Sequence, residues 1–509
     1  MDMSASSEHT LHLASLDADL QRRLTLLRSN SESVTASRRL VEATLEDEEP
    51  RYGINTGFGA LKNQRIEPAD LEQLQLNLIR SHAVGVGPPV PKAISRRMLQ
   101  LKIHALGLGY SGVSEEVFER LLLMDELDLI PVIPTRGSLG ASGDLAPLAH
   151  MALPLIGEGE IWKDDGPAPA GNVLAQHNLA SVTLHAKDGL ALNNGTQFMA
   201  AYGCEILLKA QNLADVADIV AAMSLDACRG SIRPFDPRVQ AVRAHVGHGV
   251  VARNIRILLE SSEILPSHTN CGKVQDPYSL RCMPQVHGAS RDAIAHAALV
   301  VETEINSVTD NPLVFEDVDG KPDLISAGNF HGQPLALVLD YAAIALAEWA
   351  SISERRTYLL IDGYDDLPPF LIAESGLQSG FMIPQYTAAA LVSANKTLAH
   401  PASVDTIPTS KGQEDHVSMG AWGALKGVQV AENAEQVLAI ELLCAAQALD
   451  FRRPFKSGRG VEAAHAVVRT RVPFREADTS FTGDLEACTE LVRSGALVDA
   501  VQDEIGGLR

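Results

Sequence analysis

Positive charge is scarce in this chain of 509 residues: 42 Lys and Arg face 64 Asp and Glu, a net charge of −22. Phosphate recognition needs a basic surplus, so a nucleic-acid partner is not expected, nor docking on an anionic membrane. Cysteine is sparse as well. Cys204, Cys228, Cys271, Cys282, Cys444 and Cys488 form no C-x-x-C pair, which removes zinc-ribbon and thioredoxin-type readings. Scattered thiols in so long a chain point to a reducing compartment, the cytoplasm. The N-terminal MDMSASSEHTLHLASLDADL has no basic start and no continuous apolar core, so it does not read as a signal peptide. No long apolar run is free of charge. The most membrane-like, Leu335 to Ile352, carries Asp340 and Glu348 and reads as a buried helix. Internal repeats and low-complexity segments are missing too. With 46% hydrophobic residues, disorder is also excluded. What is left is a soluble protein, an enzyme acting on something small.

The residues that are present predict a mainly α protein. Stretches 190–224, 288–308, 332–361, 383–399 and 414–450 are rich in Ala, Leu, Glu and Gln and nearly free of internal Pro and Gly. In 332–361, Leu335, Val338, Leu339, Ala342, Leu346 and Trp349 recur at helical spacing. Ala343, Ile344 and Ala347 add apolar surface on other faces, and a helix apolar nearly all round must be buried on most sides. A bundle of long helices is expected, with outer faces meeting other copies of the chain. Aromatics are only 5%, in keeping with close Ala and Leu contacts. Residues 1–188 differ: Gly and Pro punctuate shorter elements, and 155–185 read as a surface excursion with short strands. The division expected is 1–188 as a mixed, loop-rich N-terminal domain, 189–452 as the helix bundle, and 453–509 as short C-terminal helices.

Gly107, Gly109 and Gly112 satisfy G-x-G-x-x-G. A dinucleotide fingerprint needs a strand before it and a helix after it, yet the preceding SRRMLQLKIHAL reads as helix. The glycines are read as a loop ending one helix before the next, at 115–123, capped by Ser114.

The segment 137–150, GSLGASGDLAPLAH, holds Ala141-Ser142-Gly143. By local physics it is a turn leading to a helix, with Ser142 or Asp144 as N-cap. Its surroundings add more. RYGINTGFG (51–59), RSHAVGVG (80–87), LALNNGTQ (190–197), NCGKVQDPYSLRC (270–282), SVTDNPLVF (307–315), GNFHG (328–332), SGFMIPQ (379–385) and QEDHVSM (413–419) follow in order. Together they resemble the aromatic amino-acid ammonia-lyase and aminomutase family over roughly residues 50–450, and within it the histidine-specific members most. The resemblance implies a long-helix bundle of the fumarase/aspartase-like type, although the G-S-S-x-M-P loop of those lyases is absent. It implies that Ala141-Ser142-Gly143 cyclises into 4-methylidene-imidazol-5-one (MIO), an electrophile needing no metal or diffusible cofactor. Gly143 has no Cβ to obstruct the contorted backbone, Ser142 loses its hydroxyl as water, Ala141 stays small, and Asp144 helps position the loop.

Roles for other residues are implied in the same way. Tyr52 would remove the substrate β-proton; a phenol with an ordinary pKa of about 10 must be depressed for that. Arg281 would clamp the substrate carboxylate, since a planar guanidinium matches it bidentately. Tyr278 would assist proton transfer or orient the electrophile, with Gln275 in the same polar network. Asn194 would polarise the prosthetic oxygen or bind the carboxylate, and Phe330 would pack against the prosthetic group. Ser81-His82 matches the histidine-specific pattern, where tyrosine lyases show His-Leu and phenylalanine lyases Phe-Leu. His82 and Glu414 would therefore meet a substrate imidazole, with Met382 as a wall. Asn193 departs from the family pattern, which has Leu, Ile or Val there. The expected reaction takes L-histidine to trans-urocanate and ammonia, in a homotetramer with sites shared between subunits. Whether amino group or ring attacks the electrophile stays open. The alternatives are tyrosine or phenylalanine deamination, 2,3-aminomutation, or a non-catalytic helical scaffold.

Overall fold

The computed structural model describes residues 10–45, 50–57, 64–269 and 271–508. It is mainly helical, with three two-stranded antiparallel ribbons as its only named sheets among these residues. The chain divides into two compact units: Met1–Glu205 with Ala298–Asp340 and Pro401–Leu425, and Ile206–Ala297 with Tyr341–His400 and Lys426–Arg509.

The first unit is built from short helices and the three ribbons. Val86–Pro89 pairs with Pro134–Arg136, Glu160–Lys163 with Gly166–Pro169, and Leu313–Glu316 with Pro322–Ile325. The expected excursion at 155–185 is the second ribbon followed by the helix Ala170–Gln176. Val41, Ile54, Leu71, Ala186 and Val314 form one buried cluster beneath these elements. The glycine motif behaves as a loop, not a nucleotide site. The helix Lys92–Leu106 precedes it, and Ser114 caps Glu115–Glu126 by accepting from the Val117 amide. Gly112 is there for packing: at φ +65°, an added Cβ would stand 2.2 Å from a Val41 methyl.

The second unit carries the Ala-rich helical mass. Along Gly420–Asp450, Val437 to Leu443 and Cys444 to Ala446 are essentially unexposed. Every face of that stretch is therefore covered, and small residues let neighbouring helices approach. Gln333–Ile361 is long and apolar enough to cross a membrane, but 67% of its most apolar window is buried inside the protein. Buried charges in this unit are tied to one another. Arg356 Nε and Nη2 donate to Glu441 at 2.6 and 2.9 Å, and His287 Nδ1 lies 2.8 Å from Asp218. Arg291 and Asn254 also donate to Asp218, at 2.7 and 3.0 Å.

Three local expectations change. The stretch 190–224 is not one helix: Asp188–Asn193 ends, Asn194 is extended, and Gln197–Ala227 begins anew. Gly195 at φ +129° breaks it, a conformation that L side chains avoid. The last long helix starts at Gly420, not 414, and Glu414 instead pairs with Thr409 in an isolated bridge. Asp144 is the N-cap of Leu145–Ala152, yet its side chain makes no capping bond; it is held elsewhere.

Candidate active site

The helix break at 194–196 and the tripeptide loop meet in the first unit. Gly143 and Gly195 form an isolated parallel bridge, and the Asp144 amide donates to the Gly195 carbonyl at 2.7 Å. Gly143 sits at φ +76°, where a Cβ would lie 2.0 Å from the Gly195 oxygen. Only glycine fits. Asp144 is fully buried, accepting from Ser138 Oγ at 2.8 Å and the Met199 amide at 3.0 Å. Burial outweighs these bonds and pushes its carboxyl up to about 7.

Two cavities of 530 and 670 Å³ adjoin this loop. Ser142, Tyr52, Asn194 and Glu414 line both. The first adds His82, Ser81 and Asn193 to an apolar wall of Leu74, Leu78, Leu145 and Leu190. The second adds Ala141, Phe330, His331 and His416. Ser142 Oγ donates to Glu414 Oε1 at 3.3 Å, and Thr409 Oγ donates to Oε2 at 2.6 Å. His82 Nδ1 lies 3.0 Å from Ser81 Oγ. Burial draws its imidazole below the usual histidine range, while a bond to Leu78 and the charge of Glu414 work the other way.

Six expected residues thus converge: Tyr52, His82, Ser142, Asn194, Phe330 and Glu414, with Ala141 and Gly143 in the loop. The other four, Tyr278, Arg281, Gln275 and Met382, belong to the second unit. Tyr278 is 71% exposed and opens the single turn Tyr278–Arg281. The Arg281 guanidinium lies 4.6 Å over its ring, and Nε donates to the Asp276 carbonyl. Gln275 is exposed, and Met382 opens the helix Met382–Leu398. Phe58 and Gly59 of the first motif and Asn270 of another lie outside the described residues. Among the described residues, no group of three or more His, Cys, Asp or Glu is placed to hold a metal ion.

The sequence pattern of the aromatic amino acid lyase family matches residues 11–470. The chain belongs to this family. It is 53% identical to a histidine ammonia-lyase of Myxococcus xanthus over 470 residues, 92% of each chain. Among solved structures it resembles histidine ammonia-lyase of Trypanosoma cruzi, with TM-score 0.86 and 42% identity, covering 93% of this chain and 89% of that one. It also resembles a tyrosine aminomutase from Streptomyces globisporus, with TM-score 0.89 and 34% identity, covering 99% of each chain.

Two site features of this family member escaped the reading of its motifs. Lys102, 2% exposed, donates to the Asn194 carbonyl at 2.5 Å. Its sequence signal was a lone cation among Leu99, Leu101 and Ile103. Asn193 is fully buried, and neither atom of its carboxamide has a hydrogen-bond partner among the described residues. Its departure from the family pattern was visible; the unpaired amide was not.

Proposed function

We propose that the chain is a histidine ammonia-lyase, a carbon–nitrogen lyase that converts L-histidine to trans-urocanate and ammonia. One observation carries the reading: His82 and Glu414 line the same cavity as Ser142. An imidazole gives each polar group a partner. A phenyl ring would leave the Glu414 carboxylate facing hydrocarbon, which is costly. The 53% identity to a named histidine ammonia-lyase supports the same choice.

The tripeptide suits cyclisation to MIO. Gly143 fills a niche that a Cβ would close, Ala141 is buried and small, and the Ser142 side chain borders both cavities. Once formed, that group supplies an electrophile that draws electron density from the amino acid. The chain's own residues do the rest. Tyr52 takes the β-proton, the step that general-base catalysis speeds. Leu74, Leu78, Leu145 and Leu190 flank the substrate ring and exclude water, while His82 and Glu414 fix its orientation. Asn194 holds the prosthetic oxygen or the carboxylate, and Phe330 packs against the loop. Arg281 clamps the carboxylate, with Tyr278, Gln275 and Met382 beside it.

Those last four residues belong to the second unit, and a homotetramer with shared sites would supply them from neighbouring copies. Support comes from Tyr341, Ile344 and Tyr358, apolar side chains exposed on one long helix. The six free cysteines agree with a cytoplasmic setting. The test is a panel of L-histidine, L-tyrosine and L-phenylalanine, followed by released ammonia and ultraviolet absorbance. Histidine is expected to turn over fastest, and Ser142→Ala to lose nearly all activity. Faster tyrosine or phenylalanine would sink the substrate reading; an active Ser142→Ala would sink the prosthetic group.

A further inference from the structure

Lys102 sits in the helix Lys92–Leu106 between buried Leu101 and Ile103 and is itself 2% exposed. Burial draws its ammonium down to about 7. A Met or Leu would pack there without the desolvation cost of a cation. The charge therefore calls for a reason, and its hydrogen bond supplies it. Nζ donates to the Asn194 carbonyl at 2.5 Å.

That carbonyl belongs to the short extended link on which the tripeptide rests. The next residue, Gly195, pairs with Gly143 and accepts from the Asp144 amide. Farther along the link, Thr196 Oγ donates to Glu304 at 2.6 Å and Gln197 Nε2 to Thr309 at 2.9 Å. Lys102 is the one cation among these ties. Asp310 and Lys187, paired at 2.7 Å, add their opposed fields from nearby.

We infer that Lys102 is a positioning residue, holding the Asn194–Gly195 peptide against Ala141-Ser142-Gly143 so that the tripeptide closes and later works against a positive charge. The inference rests on the prosthetic-group reading. Closure balances without an oxidant. The Gly143 nitrogen bonds to the Ala141 carbonyl carbon, and that oxygen leaves as water with the amide hydrogens of Gly143 and Ser142. The Ser142 hydroxyl then leaves with the Cα hydrogen as a second water.

The experiment compares the full-length wild type with Lys102→Met, Lys102→Gln and Lys102→Arg. Intact mass reports the fraction of chains lighter by two waters, and steady-state kinetics on L-histidine report kcat and KM. Lys102→Met is expected to lower the dehydrated fraction and to cut kcat by about 10- to 100-fold, the loss expected for one charged hydrogen bond. KM should stay within about threefold, because Lys102 does not line the cavity. Lys102→Arg should recover most of the mass loss, and Lys102→Gln should fall between. A folded Lys102→Met with complete dehydration and wild-type kcat overturns the inference. So does a variant that melts early while its folded fraction is fully dehydrated, since that is structural support only. Should Lys102→Met fail to fold, a Lys102→Gln indistinguishable from wild type overturns it equally. A wild type of unaltered mass would instead overturn the prosthetic group itself, along with this role.

Discussion

Two buried polar clusters, one in each unit, are handled in opposite ways. In the second, Asp218, His287, Arg356 and Glu441 are fully buried and answer one another. Burial pushes the Asp218 carboxyl up, but Arg291, His287 and Asn254 outweigh it and hold it at about 2. In the first, the Asn193 amide is left without a partner among the described residues, and Asp144 is pushed up to about 7 despite its bonds. The first pattern fixes helices against each other. The second leaves interaction capacity unspent beside a cavity, where a substrate or a reacting loop can use it. Polar burial alone therefore does not mark the site; at Asn193 and Asp144 it is incomplete satisfaction beside the cavity and its loop that does.

The contrast can be broken most sharply at Arg356. Arg356→Leu strands Glu441 as an uncompensated charge and should cost about 3–5 kcal/mol. The double replacement Arg356→Leu with Glu441→Met should cost far less, and urea denaturation of both variants measures the gap. Equal losses would mean that the pair itself, not the stranded charge, matters.

Next comes Asp144→Asn. An unfolded Asp ionises near 3.8, whereas the folded carboxyl keeps its proton up to about 7. The folded state binds the extra proton between those values, so this contribution to stability is full below 3.8 and lost as pH rises through 7. Asn cannot ionise. Relative to wild type, the variant should gain about 1–4 kcal/mol between pH 4 and pH 8, at ~1.4 kcal/mol per pKa unit. Denaturation midpoints at the two pH values read this out. A flat difference would place Asp144 with the satisfied carboxylates of the second unit.

The smallest effect is expected at Asn193→Leu. Removing an unpaired buried amide should stabilise the protein by about 1 kcal/mol, seen as a raised melting temperature, with altered kcat/KM for histidine. Lower stability would show that the amide is paired after all.

Much of this was legible in the chain. The five long helices, the buried Gln333–Ile361 and the Ser114 cap followed from periodicity and capping chemistry. So did the rejection of the glycine motif. The break at Asn194 was not legible, because Ala, Leu and Asn run on as a helix until the third dimension demands the Gly195 carbonyl for the Asp144 amide. Glu414 read as part of a helix because five residues of ordinary composition separate it from Gly420. The convergence of Tyr52, His82, Ser142 and Glu414 was legible only through the family motifs; their sequence separations alone carry no distance. Lys102 went unread because one cation among several in a helix does not announce what it touches.

The niche at Gly143 has a consequence for how such a chain can change over generations. Every other amino acid would place a carbon against the Gly195 oxygen, so folding alone keeps glycine there. A descendant that had abandoned the chemistry would still carry it. Ser142, half-buried at the edge of two cavities, is under no such hold. In a drifting lineage, the serine is the letter that would record whether the reaction is still being performed, and the glycine would stay silent on the matter.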